Sequence, residues 1–192
     1  MMSRLGKWSL VIISASTILL LSVPALALDG YQDRRGFFGG IGFGGGGVFA
    51  GSEPGGGIVF DFQLGGGATQ NLTVALDTDL SIHILEHSRN LLLTPGPEVN
   101  YFFGETGIFA RVGIGMALTF SWFEDTDFEI PAGGKKPDDT DFRLGFDGSL
   151  GVGWEFFVNS DLALGLAFEG DYVVLNGDDI ASFGFSFGLK HY

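Results

Sequence analysis

The stretch Ser81-Ile82-His83-Ile84-Leu85-Glu86-His87-Ser88 gathers two hydroxyls, two imidazoles and a carboxylate. A serine activated by a histidine, itself oriented by a carboxylate, is the arrangement of nucleophilic hydrolysis. Ser81 and His83 lie two residues apart, so on a strand they share one face. A nucleophile also needs a base held by a third group, and nothing nearby is placed as that third member. His83 therefore reads as a histidine satisfied inside the fold, and the expectation is a protein that is not an enzyme.

Metal and phosphate chemistry are tested the same way. In residues 123–141, Asp125, Asp127 and Glu129 alternate as in calcium loops, but Ile130 and Lys136 occupy the places of the EF-hand glycine and final glutamate. The segment reads as a solvated acidic loop, with a loose divalent-cation site as the alternative. The chain has no cysteine, which excludes thiolate ligands, disulfides and thiol catalysis. The glycine-dense stretch Gly36 to Gly47 contains G-x-G spacing, yet a phosphate loop follows a strand and opens a helix. No helical pattern follows, and residues 46–56 read as a connecting loop. The glycines become one face of a strand. No cofactor or metal site is expected. A net charge of −13 argues against nucleic acid, which requires a basic footprint.

The elements that carry these residues are strands. From Gly107 to Trp122, one parity reads Ile108, Ala110, Val112, Ile114, Met116, Leu118, Phe120 and Trp122. The other reads Phe109, Arg111, Gly113, Gly115, Ala117, Thr119 and Ser121. Period two over such a length predicts a long strand. The pattern recurs, giving eight predicted strands at 36–45, 57–68, 72–85, 90–103, 107–122, 140–158, 162–175 and 180–191. The apolar parity is bulky and continuous; the other is mostly Gly, Ala and Ser with scattered charges. Glycine is a poor strand residue except where side chains would crowd, as inside a narrow barrel. A water-exposed face of such apolar bulk would be an extreme patch, whereas facing lipid it needs no partner. Only helices and closed barrels satisfy every backbone group in lipid.

The first residues supply the route. Arg4 and Lys7 precede an apolar run that ends at Ala25-Leu26-Ala27, the grammar of a cleavable signal peptide. The expected domains are a signal peptide at 1–27 and a transmembrane barrel at 28–192. Loss of Arg4 and Lys7 takes the mature charge from −13 to about −15. The fold class is all-β: an eight-stranded antiparallel up-and-down transmembrane β-barrel. Tight connections at 69–71, 104–106 and 159–161 alternate with 46–56, 86–89, 123–139 and 176–179. Short turns face the periplasm in such barrels, which puts both termini there. Aromatics near strand ends, Phe102, Phe103, Trp122, Phe123, Phe142, Trp154 and Phe156, are expected as interfacial girdles.

With the alternating strands, phrases such as PGPEVNYFFGETGIFARVGIG and GVGWEFF, and the terminal Tyr192, the chain resembles the small eight-stranded outer-membrane barrels, the OmpA/OmpX-like group. The resemblance covers the mature chain and is architectural. It implies an outer-membrane location in a Gram-negative bacterium, contact with outer-membrane lipid and lipopolysaccharide, a monomer, and recognition by the barrel-insertion machinery through the C-terminal strand. Tyr192 is out of phase with Phe183, Phe185, Phe187 and Leu189, and Lys190 stands where that pattern wants an apolar residue. The implied role is structural or surface-interacting, through acidic outer loops. The alternative is a narrow pore or small-molecule conduit; a lipid A-modifying hydrolase is the least favoured reading.

An eight-stranded lumen is narrow enough for side chains to fill. The inferred inward charges are Asp61, Asp77, Asp79, Glu98, Arg111, Arg143, Asp147, Glu155, Glu169, Asp171 and Lys190. Hairpin arithmetic predicts a Glu98–Arg111–Glu155 cluster, correct to a two-residue slip, and brings Lys190 near Glu169. Buried charges must be paired or hydrated. Acids outnumber bases, so some carboxylates must meet water, cations or protons.

Overall fold

The computed structural model describes residues 33–86, 88–123, 140–176 and 179–192. The expected signal peptide and Asp125, Asp127, Glu129 and His87 lie outside them. The described chain forms eight strands: β1 (Gly36–Ala50), β2 (Glu53–Gly67), β3 (Leu72–Leu85), β4 (Ser88–Phe102), β5 (Ile108–Phe123), β6 (Thr140–Phe157), β7 (Leu162–Leu175) and β8 (Asp179–His191). Each pairs antiparallel with the next, and β1 pairs with β8 to close the barrel. Closure leaves no strand edge with unpaired backbone groups, the condition for a sheet in lipid.

The two faces separate as the alternation requires. Phe146, Phe185, Leu150 and Ile114 project outward, each about 70% exposed. Thr73, Ala75, Ala117, Thr119 and Ala163 on the opposite parity are almost fully buried. Apolar bulk outside and small or polar residues inside is the inverse of a water-soluble barrel. No described helix is long and apolar enough to cross a membrane.

Three expectations change. Residues 46–56 are not a loop: β1 and β2 run on to a tight turn at Gly51 and Ser52, with Gly51 at φ 58°. Glycine density marks close approach there, because a Cβ on Gly44 or Gly46 would strike the β8 backbone at Phe185 or Phe183. Residues 88 and 89 open β4 instead of ending a loop. Phe102 is not part of a girdle: it points inward and is fully buried, while Phe103 is half exposed. The period-two rule separates the two neighbours.

In β4, Pro95 and Pro97 interrupt the ladder to β5, whose pairings stop at Leu93↔Leu118 and resume at Glu98↔Gly113. Proline has no N–H to donate. Pairing with β3 continues through the same residues, so the loss is confined to one side.

Candidate functional site: the barrel lumen

The lumen is built in layers along the axis. At the end carrying both termini, Glu155 is nearly fully buried and gathers two hydrogen-bond donors and an ammonium. Arg34 Nε donates to Oε1 at 2.8 Å, and the Tyr192 hydroxyl reaches both oxygens at 2.9 and 3.0 Å. Lys190 Nζ lies 3.5 Å from Oε2. The Arg34 guanidinium also stands 3.9 Å over the centre of the Phe102 ring. Tyr192 packs on Phe38 and Phe157, with ring centres 5.3 and 5.2 Å away. Burial and the Glu155 carboxylate push the Tyr192 phenol well above its ordinary range, keeping it a donor. Aromatic rings and an ion-paired carboxylate thus fill this end.

The next layer centres on Arg111. Its Nη1 lies 2.8 Å from Glu169 Oε1 and its Nε 3.1 Å from Glu98 Oε2, with Asp61 at 3.7 Å. Asn100 accepts from Arg111 Nε at 3.1 Å and donates to Glu98 at 2.7 Å. Gln63 donates to Glu98 and Asp61 at 3.2 and 3.3 Å. Ser186 donates to Glu169 at 2.7 Å. Charge-assisted bonds of this kind are the strong ones.

Above it lies an acidic layer of Asp77, Asp79, Asp147 and Asp171, the last accepting from Ser182 at 2.9 Å. Toward the far end Val48, Leu85, Leu92, Val173, Leu175 and Ile180 pack as a buried apolar cluster. At the rim, Arg143 pairs with Asp141 at 3.0 Å.

The structure therefore brings Glu98, Arg111 and Glu169 together, but not Glu155 with Arg111. Glu155 belongs to the terminal layer with Lys190, and Lys190 does not meet Glu169. The register explains both corrections. Gly151, not Glu155, sits opposite Arg111 on β6, and Gly184, not Lys190, sits opposite Glu169 on β8. Asp147 and Asp171 enter the acidic layer, and Arg143 is held at the rim. Arg34, Gln63, Asn100 and the inward role of Tyr192 were missed. Parity could have found three of them: Gln63 is in phase with Asp61, Asn100 with Glu98, and Tyr192 with Lys190. Arg34 precedes the alternating pattern and gave no signal. Ser81 and His83 do share the inward face; His83 is deeply buried, and its Nδ1 has no hydrogen-bond partner.

No family model and no curated protein matches this sequence. Solved structures do resemble it. Neisserial surface protein A aligns with TM-score 0.60 and 14% identity, over 81% of this chain and 96% of that one. Ail, the attachment invasion locus protein of Yersinia pestis, aligns with TM-score 0.52 and 11% identity, over 81% and 99%. At such identities the likeness is one of fold. Together with the outward apolar belt, it makes this chain a small eight-stranded transmembrane β-barrel with the fold of the outer-membrane barrels.

Proposed function

We propose that the barrel is a closed structural and surface-interaction module and not a pore or an enzyme. What supports this reading is the filling of the lumen by buried side chains toward both ends. Arg34, Phe38, Phe102, Glu155 and Tyr192 fill the end with the termini, and the Val48–Leu92–Ile180 packing fills the other. Between them the side chains leave cavities of about 50 Å³ or less, room for a few waters and not for a continuous path. A hydrolytic role for Ser81 and His83 would need substrate access, and both are at least nine-tenths buried behind the apolar layer.

Surface contact then falls to the loop end, where the sequence places the acidic segment 123–141. The partner chemistry this favours is lipopolysaccharide phosphate bridged by divalent cations, since direct contact between like charges is repulsive. Monomeric insertion through β8 fits its outward row of Phe183, Phe185, Phe187 and Leu189.

Planar-bilayer recording of the refolded barrel tests the closed reading. Silence is expected, also in Glu98→Gln. Discrete steps in the parent that change in Arg111→Ala would establish a conduit and overturn the proposal. The surface arm is tested by binding to lipopolysaccharide vesicles with magnesium. Replacing Asp125, Asp127 and Glu129 with Asn, Asn and Gln should weaken it, and equal binding would remove the loop from the account.

A further inference from the structure

Three carboxylates meet in the middle of the lumen. Asp61, Asp77 and Asp79 each bring an oxygen within 4.8 Å of the other two. The β2–β3 register imposes this, placing Asp61 opposite Asp79 and Gln63 opposite Asp77. Arg111 approaches only Asp61, at 3.7 Å, and is engaged more closely by Glu169 and Glu98. One guanidinium thus faces three carboxylates of its own layer and the four aspartates of the next. Buried charge of one sign is held by a counter-charge, a proton or a metal.

Two further groups narrow the choice. Gln63 is 5% exposed, its Nε2 lies 3.3 Å from Asp61, and its amide oxygen, a hard donor, has no hydrogen-bond partner. His83 is 3% exposed with an unpartnered Nδ1, and lines a cavity of about 50 Å³ together with Asp79, Asp147, Asp171 and Ser182. Asp79 is common to the carboxylate cluster and this cavity. An imidazole nitrogen without a partner in an acidic cavity suits ordered water, and the cavity has room for it.

We infer that the lumen holds one hard divalent cation, bound by Asp61, Asp77 and Asp79, with its remaining coordination completed by water in the cavity beneath His83. Oxygen-only donors select Mg²⁺, Ca²⁺ or Mn²⁺ over softer ions. Magnesium in particular is commonly held by a few carboxylates while it keeps several waters. The ion offsets the unpaired aspartates, and its waters donate outward to Asp147 and Asp171. On the closed reading proposed above, the ion enters as the barrel folds and leaves slowly afterwards.

Manganese is the probe. The full mature chain is refolded into detergent with Mn²⁺, passed over a column containing EDTA, and assayed for metal and for the bound-ion resonance spectrum. One ion per barrel is expected, with little uptake when Mn²⁺ is added only after folding. The Asp77→Asn/Asp79→Asn double variant should retain at least about 100-fold less, since losing even an outer-shell partner of a metal costs roughly 10- to 100-fold. A barrel carrying Asp125→Asn, Asp127→Asn and Glu129→Gln should retain the ion. A parent that keeps no manganese, its carboxylates holding protons instead, overturns the inference. So does a loop variant that loses the ion while the chamber variant keeps it. The parent measurement stands alone should the double variant fail to fold, which gel mobility of the unheated protein reports.

Discussion

Arg111→Met leaves most of the side chain's stem and removes its charge. The guanidinium is 6% exposed, and its two close carboxylates, Glu98 and Glu169, are 3% and 18% exposed. At an effective dielectric near 20, each contact at about 3 Å supplies roughly 5 kcal/mol of Coulomb attraction. Desolvation offsets much of that, and measured losses on breaking a buried pair run to about 3–5 kcal/mol, because the surviving partner is left uncompensated. Here two close carboxylates, and Asp61 behind them, lose one shared cation, which puts the expected cost at the upper part of that range. At about 1.4 kcal/mol per tenfold, the folded population should fall by several hundred- to several thousand-fold relative to the parent. Urea unfolding from lipid vesicles, followed by fluorescence of Trp122 and Trp154, measures it. Adding Glu98→Gln and Glu169→Gln to Arg111→Met should recover a substantial part of the loss. A deficit within about 1 kcal/mol, the scale of an average substitution, would refute the reasoning: the layer would then be hydrated, not held by Arg111.

Other perturbations separate the faces of the barrel. Leu150 is 68% exposed near the middle of β6, and Leu150→Arg should cost about 2–4 kcal/mol in the same unfolding assay, the penalty for a cation at the bilayer midplane. Gly96→Ala places a Cβ against the Ile114 carbonyl and the Gly115 backbone of β5; overpacking of about 1–3 kcal/mol should lower its refolding yield. Tyr192→Phe keeps the packing on Phe38 and Phe157 but removes the hydroxyl from Glu155, which Arg34 still holds, so it should lose about 1.5–3 kcal/mol, the net worth of a hydrogen bond to a charged group. Outside the membrane, the hydrogen bonds from Arg35 hold Asp33 down at about 2, below the ordinary carboxylate range. The lowered value means the contact favours the folded chain above that ordinary range and is lost as pH falls through about 2. Carbon-detected titration should show this, and Arg35→Gln should return Asp33 to the usual range.

The barrel was legible in the sequence because period two is a local property. Ile108 to Trp122 declare their two faces without reference to any other strand, and eight such runs leave closure as the only arrangement lipid allows. Size then decides orientation: Phe146 and Leu150 cannot fit a lumen that Gly145 and Gly151 can. The inward charges followed from the same parity. Their partners did not, because pairing depends on shear, which shifts each strand along its neighbour by an amount no single strand encodes. That shift sends Glu155 to Arg34 and Tyr192 and gives Arg111 to Glu169. It also turns the glycines of 44–57, punctuation when read along the chain, into the points where two backbones nearly touch. What the residues determined alone was which side chains face inward; the tertiary structure decided which of them meet, since contact across a barrel is set by register and not by spacing.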